Sequence, residues 1–237
     1  MTACWHIALR EYASFFRTSI GWVVIALYML LMGIWVARAI IPGEPASLRA
    51  VFQTSQILLL FVAPAVSMRL LAEERRSGTI ETLGTSPASD WAIAFGKYFG
   101  ALFFLLTMLA PTGLFLILLE VIADPDYGPI ATGYLGVVLL GMLYLSVGLL
   151  FSSFTQNQIV AFLGTLFFFL ILLLATTIGA TALGEPWSEY LRILSLGARM
   201  EDFARGVIDT SHIVFFIVIS FWFVSLTAMS LEFRRWR

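Results

Sequence analysis

The sequence predicts an all-α polytopic membrane protein with six transmembrane helices, preceded by an N-terminal interfacial helix. Of its 237 residues, 60% are hydrophobic and only 12% are charged, about half the charged share of a soluble globular domain. So few charged side chains cannot coat a water-soluble particle of this size. The net charge of −1 gives no broad attraction to nucleic acid. A soluble enzyme, a disordered chain and a nucleic-acid-binding protein are therefore excluded, and the single cysteine, Cys4, excludes a disulfide framework and a thiolate metal site.

Six apolar runs are long enough to cross the hydrocarbon core, which takes roughly 20 helical residues. Pro111, with Gly113 close by, is expected to kink the third and longest run. Residues 37–39 mimic a signal-peptide cleavage site, but the apolar run before them is too long, so we expect the first span to be retained. The runs cover residues 21–41, 51–71, 91–119, 130–151, 159–183 and 213–231.

An even number of spans places both termini on one side of the membrane. That side carries nine of the basic residues and the other side carries five. The excess of basic residues predicts that both termini are cytoplasmic. We therefore expect a multi-pass protein of the inner (cytoplasmic) membrane, with residues 1–237 forming one membrane domain.

Two amphipathic segments lie outside the predicted spans. Residues 1–20 place apolar side chains such as Trp5, Leu9 and Phe16 at helical spacing, which is typical of a helix in the membrane interface. This helix is either a simple anchor or an elbow helix that moves with the bundle. Residues 184–212 are predicted to lie on the extracytoplasmic side as two short helices separated at Gly197. These helices form either a packed lid or a cap over the exit face.

The loop of residues 72–91, between spans two and three, is the most informative segment. Four consecutive charged residues starting at Glu73 mark the expected end of the second span, and Gly78 can stop the helix or turn the chain. A short helix is expected over residues 79–83, and Ser89 can cap the third span. The loop exposes Ile80 and Leu83 beside charges, as a docking contact requires. The alternative is a solvated hairpin whose charges only set the topology.

Several motifs resemble those of ABC-2 type permeases, the membrane subunits of a class of ATP-binding-cassette transporters. The charged loop from Glu73 through Leu83, followed by Ser86-Pro87, Ser89-Asp90-Trp91 and Gly96-Lys97, is similar to the cytoplasmic loop of that family. Residues 151–158 are similar to its second short cytoplasmic turn. Residues 202–209 and 230–236 are similar to the gliding-motility branch of these permeases.

The resemblance implies a fold like that of type V exporters and a permease that exports a substrate, with no catalysis in this chain. Its partners would be a separate ABC ATPase that binds ATP and Mg²⁺, a second permease copy or paralogue, and an accessory extracytoplasmic protein. No P-loop motif occurs here, so ATP would be hydrolysed on another chain. The loop would be the coupling helix that docks on the ATPase, through Glu73, Glu74, Arg75, Arg76, Gly78, Thr79, Ile80, Glu81 and Leu83.

Two other function classes remain open at this stage. A secondary transporter or channel would need ionisable groups at mid-membrane or broken helices in inverted repeats, and neither is evident. An intramembrane enzyme would need a nucleophile and base, or metal ligands, inside the spans, whereas His6 and His212 lie outside or at the edge of them. The sequence identifies no cofactor, metal or substrate-binding residues.

Close packing of helices is predicted at one further motif. Gly96 and Gly100 form a GxxxG spacing at the start of the third span, which allows two helices to approach closely. The partner helix is either in the same subunit or in a second copy of the chain.

Overall fold

The computed structural model describes residues 2–39, 48–79, 88–122, 126–182 and 184–235. These residues form helices and turns, and no strand occurs in the described ranges. Six helical segments among them are long and apolar enough to cross a membrane. The chain is therefore an all-α multi-pass membrane protein, as its sequence predicts.

The helices are numbered here in chain order. Helix α1 precedes the spans, α2, α7 and α12 form spans one, four and six, and helices α3 and α4 together form span two. Span three consists of α5, a 3₁₀ turn and α6, and span five consists of α8 and a π-helical turn. The bounds are α1 Thr2–Arg17, α2 Ser19–Ala39, α3 Arg49–Ser67, α4 Arg69–Arg76, α5 Asp90–Leu109, 3₁₀ Ala110–Thr112, α6 Gly113–Ile122, α7 Tyr127–Phe154, α8 Gln158–Leu174, π Ala175–Gly179, α9 Ala180–Ala182, α10 Trp187–Ile193, α11 Leu196–Ala204 and α12 Thr210–Arg235.

The predicted interruption of the third span at Pro111 is confirmed. The 3₁₀ turn Ala110–Thr112 separates α5 from α6 there. Proline supplies no backbone N–H to the helix, and the Thr112 hydroxyl donates to the carbonyl oxygen of Leu109 at 2.6 Å. The hydroxyl therefore stabilises one of the carbonyl groups beside the interruption.

Helix α7 is the centre of the bundle. Of its most apolar 18-residue window, 78% is buried, a larger share than in the other spans. Helices α3, α5, α8, α11 and α12 all pack against it, which suits a helix that is apolar on every side. A Cβ atom on Gly148 would lie 1.9 Å from the Ser67 hydroxyl oxygen. Helices α3 and α7 thus approach each other at a distance that only glycine permits.

Three spans lie at the outside of the bundle. The corresponding windows of spans one, five and six are only 22%, 22% and 28% buried. Their exposed side chains are mostly large and apolar. These spans therefore offer wide apolar surfaces to lipid or to another subunit.

The two ends of the bundle are distinguished by the short helices that lie there. The C-terminal part of α12 lies beside the end of α7, where the Ser153 hydroxyl donates to that of Ser230 at 3.4 Å. Helices α1 and α4 lie at this same end, which we call the terminal face. The end that carries α10 and α11 is called the opposite face.

The predicted break at Gly197 is wrong. The chain leaves α10 at Leu194, and Ser195 caps α11, whose first turn contains Gly197. The Ser195 hydroxyl oxygen accepts a hydrogen bond from the N–H of Ala198 at 3.3 Å. Serine competes strongly for the N-cap position, whereas one glycine inside a helix costs only about 1 kcal/mol.

Candidate functional site

Helix α4 extends span two beyond the point at which the sequence predicts its end. The span is 28 residues long, or about 42 Å, against roughly 30 Å for a hydrocarbon core. Its last turns, in α4, can therefore project from the bilayer at the terminal face. The helix ends at Arg76, and Gly78 turns the chain with a φ of 73°, a left-handed conformation that glycine adopts without steric cost.

One hydroxyl group from α7 stabilises the break between α3 and α4. The Ser152 oxygen accepts hydrogen bonds from the N–H groups of Leu71 and Ala72, both at 3.0 Å. The same hydroxyl donates to the carbonyl oxygen of Met68 at 2.9 Å. The first N–H groups of a helix lack partners within that helix. Ser152 supplies those partners and fixes the start of α4 to the end of span four.

The sole lysine of the chain joins α4 to two other helices. Lys97, on α5, is 1% exposed, and its Nζ lies 2.8 Å from Glu74 Oε1 on α4 and 3.2 Å from Glu11 Oε2 on α1. Arg10 Nη2 lies 3.7 Å from the same Glu74 oxygen. Burying an ammonium group without partners costs several kcal/mol. The two carboxylates offset that cost and hold three helices together. We call Arg10, Glu11, Glu74 and Lys97 the ion cluster.

Two glycines bring α1 close enough to α5 for this contact. A Cβ atom on Gly96 would lie 2.8 Å from the Ile7 side chain, and one on Gly100 would lie 2.7 Å from Glu11 Cβ. The GxxxG spacing therefore packs two helices of the same subunit. Further along α1, the ring of Phe15 stacks on that of an α5 phenylalanine at a centroid distance of 4.4 Å.

The burial of α1 differs in part from the amphipathic pattern of its sequence. Glu11 falls on the predicted polar face, yet its side chain is only 12% exposed because it pairs with Lys97. Trp5 and Leu9, on the predicted apolar face, are about half exposed. Helix α1 therefore packs against α5 through a stripe that includes an ionic contact. Burial also raises the pKa of the Cys4 thiol in this helix.

The structure places the predicted docking residues in three groups. Glu73, Arg76, Gly78 and Thr79 are exposed on α4 or just beyond it. The side chains of Glu74 and Arg75 are largely or fully buried against the bundle, so they contribute internal contacts. The remaining three, Ile80, Glu81 and Leu83, lie outside the described residues, as does most of the short helix predicted over 79–83. The prediction that Ser89 caps the third span is confirmed, since its hydroxyl oxygen accepts from the N–H of Ala92 at 3.2 Å.

Sequence reasoning missed the residues that hold α4 in place. Lys97 belongs to the Gly96-Lys97 motif, and Ser152 to the short turn of residues 151–158, but neither pattern predicts their contacts with α4. A usable signal was present, because a single lysine between two glycines at the edge of a span points towards a closely packed helix rather than towards water. Nothing in the pattern around Ser152 indicates its partners, which lie about 80 positions earlier in the chain.

A second polar cluster fastens α11 to α12 on the opposite face. Arg199 Nη1 lies 2.6 Å from His212 Nδ1, and Arg199 Nη2 donates to the carbonyl oxygen of Ile193 at 2.8 Å. A guanidinium group only donates, so Nδ1 accepts and the other ring nitrogen donates to Asp202 Oδ2 at 3.0 Å. The guanidinium also lies over the Phe215 ring at 3.9 Å. Burial lowers the pKa of Arg199 from its ordinary value, against the attraction of nearby carboxylates.

Both clusters join helices. On the opposite face the Ser211 hydroxyl oxygen lies 3.5 Å from His212 Nδ1, but that nitrogen already accepts from Arg199 at 2.6 Å and is not available as a base. Among the described residues, no group of three or more His, Cys, Asp or Glu side chains could hold a metal ion. The terminal face instead combines a two-turn helix, α4, which is exposed at Glu73 and Arg76, with attachments to α1, α5 and α7. Such an arrangement can transmit a displacement of α4 to spans two, three and four.

Comparison with known families gives one match. The family described as ABC-2 family transporter protein matches residues 50–200, which is more than half of the chain. This range includes spans two to five, helix α4 and residues 72–91. No curated protein matches the chain at a significant level.

Proposed function

Because this chain belongs to the ABC-2 family of transporters, we propose that it is a membrane-spanning permease subunit driven by a separate ABC ATPase. The ATPase binds ATP with Mg²⁺ and docks on residues 72–91, and this chain performs no hydrolysis itself. The docking contact consists of Glu73, Arg76, Gly78 and Thr79 with Ile80, Glu81 and Leu83. Glu74 and Arg75 support it from the inner side of α4.

The two-sided character of α4 is the observation that carries this proposal. Its outer side offers Glu73 and Arg76 to a partner, while Glu74 on its inner side meets Lys97 at 2.8 Å. Its first turn is held by two hydrogen bonds to Ser152. A partner that pushes the exposed side therefore moves spans two, three and four together. This is a conformational mechanism, of the kind in which a packed interface has two discrete arrangements.

The proposal also includes an orientation of the chain in the membrane and the assembly of two permease subunits. The terminal face is cytoplasmic in the inner membrane, so that α4 reaches the ATPase, and the opposite face is extracytoplasmic. Two permease copies or paralogues pair through part of the apolar surface of spans one, five and six, and lipid covers the remainder. Transport runs outwards, as in the gliding-motility-like branch, and an accessory extracytoplasmic protein would contact α10 and α11.

The docking contact is tested by replacing Ile80 and Leu83 together with aspartate. The permease is co-expressed with its candidate ATPase and purified in mild detergent. We expect the variant to insert and fold, but to lose both co-purification of the ATPase and stimulation of ATP hydrolysis. Ile193→Asp with Leu194→Asp is the matched control, because both side chains are exposed on the opposite face. Undiminished co-purification and stimulation in the Ile80/Leu83 variant would overturn the docking site.

A second measurement separates ATP-driven transport from a secondary transporter or channel. The permease is reconstituted into vesicles with and without the ATPase, and every co-purifying chain and lipid is identified. We expect substrate movement only when the ATPase and ATP are present. Movement down a gradient in vesicles that contain the permease alone would contradict the proposed energy source.

A further inference from the structure

A large cavity lies at the terminal face between α1, the start of α2 and the junction of α3 with α4. Its volume is about 900 Å³, within the range of sites that hold small ligands. Its lining includes the apolar side chains of Ile20, Ala65 and Met68. The same lining includes the cationic side chains of Arg17 and Arg69. The cavity therefore suits a molecule with one apolar and one charged end.

Arg69 is the buried cation of this cavity, and its neighbours are neutral. The residue is 9% exposed, and its guanidinium carbon lies 4.4 Å from the centroid of the Phe15 ring. Nη2 donates to the Ser14 hydroxyl oxygen at 3.2 Å, and Nη1 lies 3.5 Å from that of Thr18. Among the described residues, the ion pairs at this face involve Arg10 and Lys97 rather than Arg69.

The charges around the cavity favour an anion. Four cationic side chains and three carboxylates line it, which leaves an excess of one positive charge when histidine is neutral. Two of the cations and two of the carboxylates already pair within the ion cluster. The remaining charged groups are Arg17, Arg69 and the exposed Glu73. A buried guanidinium without a carboxylate partner is stabilised by an anion that accepts its paired N–H groups.

The position of the cavity along the bundle favours a lipid as the source of that anion. The first membrane span begins at Ser19, next to Thr18 and Ile20 of the cavity wall. Ala65 lies in the last turn of α3, just before the projecting helix α4. The cavity therefore lies where the first span begins and the apolar part of the second span ends, which is the level expected for lipid headgroups. Basic pockets between transmembrane helices at this level bind anionic headgroups.

We propose that this cavity binds the phosphate group of an anionic phospholipid from the leaflet at the terminal face. Arg69 contacts the phosphate as a buried fork, and Arg17 contacts it from the exposed rim. Ser14 and Thr18 orient Arg69 by accepting its N–H groups. The bound lipid joins the α1–α2 turn to the α3–α4 junction. The proposal requires neither the ATPase nor a transported substrate, so it is independent of the proposed function.

The test measures the affinity of the full-length protein for its first bound lipid. Delipidated protein is titrated with phosphatidylglycerol or with zwitterionic phosphatidylcholine, and native mass spectrometry measures the affinity for the first lipid. We expect Arg69→Gln to weaken the first phosphatidylglycerol by about tenfold, as the loss of one charge-assisted contact implies, and Arg17→Gln by a few-fold. Glu73→Gln should strengthen it. Phosphatidylcholine carries the same phosphodiester together with a choline cation, so it should bind more weakly and respond less to these changes.

Arg192→Gln is the matched control, because Arg192 is exposed on the opposite face; its lipid affinity should equal that of the unmodified protein. If Arg69→Gln does not fold, the phosphatidylglycerol affinities of Arg17→Gln and Arg69→Lys test the proposal instead. Arg69→Lys is informative because lysine keeps the charge but loses the planar fork. Unchanged phosphatidylglycerol affinity in the variants that fold would overturn the proposal. Displacement of the lipid by millimolar glycerol phosphate would also overturn it, because the site would then hold a soluble phosphate ester.

Discussion

Replacing Lys97 with methionine tests whether a buried ammonium holds the terminal face together. The change keeps most of the side-chain volume and removes the charge. Glu11 and Glu74, whose side chains are 12% and 18% exposed, then lack their main cation. Removing one partner of a buried ion pair costs about 3–5 kcal/mol. We expect a loss of about 3 kcal/mol, the lower end of that range, because Glu74 keeps Arg10 at 3.7 Å and both carboxylates keep some solvent.

The assay is reversible unfolding in mixed micelles, titrated with a denaturing detergent. A loss of about 3 kcal/mol corresponds to roughly a 150-fold change in the ratio of folded to unfolded protein. The triple variant Lys97→Met, Glu11→Gln and Glu74→Gln should recover to within about 1 kcal/mol of the unmodified protein, because the one charge that it leaves in the cluster, on Arg10, is exposed to solvent. A Lys97→Met variant as stable as the unmodified protein would refute the reasoning. So would a triple variant as unstable as the single one.

Four other changes test the remaining contacts. Gly96→Ala places a Cβ atom 2.9 Å from the carbonyl oxygen of Cys4 and displaces the start of α1. Alkylation of the Cys4 thiol, which its raised pKa keeps slow by lowering the thiolate fraction, should then become several-fold faster. Ser152→Ala leaves two buried N–H groups without their acceptor and should lower the free energy of unfolding by about 2–3 kcal/mol. Arg199→Met should destabilise the opposite face by about 2 kcal/mol, measured by limited proteolysis, whereas Arg49→Met removes an exposed ion pair worth at most about 1 kcal/mol.

Matched controls separate these effects from general damage. Gly33→Ala adds a Cβ atom that meets nothing within 4 Å, so Cys4 alkylation should not change. Ser225→Ala removes an exposed hydroxyl on α12 whose hydrogen bond is to its own helix. Equal losses from Ser152→Ala and Ser225→Ala would contradict the role of Ser152 at the helix break. An Arg49→Met variant more damaging than Arg199→Met would contradict the link between burial and cost.

The six spans could be predicted because the bilayer requires long apolar runs, but their arrangement could not. Helices α7 and α8 are both apolar on all sides, yet α7 is central and α8 is peripheral. The difference lies in residue size, since α7 contains five glycines and α8 contains one. Glycine lets neighbouring helices approach from several directions. Hydropathy alone does not record that property.

The sequence alone does not show which charged residues of the candidate site face the bundle and which face outwards. Four consecutive charges from Glu73 look like a solvated helix end, but four residues complete a helical turn, so some must face inwards. The structure shows that Glu74 and Arg75 do so. Their partners include Lys97 and other residues distant in sequence, and no local pattern encodes such pairs. The GxxxG spacing likewise identified a close approach without identifying α1 as the partner.

The packing of α1 has a consequence for how the chain is made. The α5 residues that contact this helix, from Gly96 to Phe104, are synthesised about ninety residues after their partners on α1. Until the third span enters the bilayer, Glu11 has no ammonium group to meet. Helix α1 can therefore form these contacts only after the third span has been synthesised.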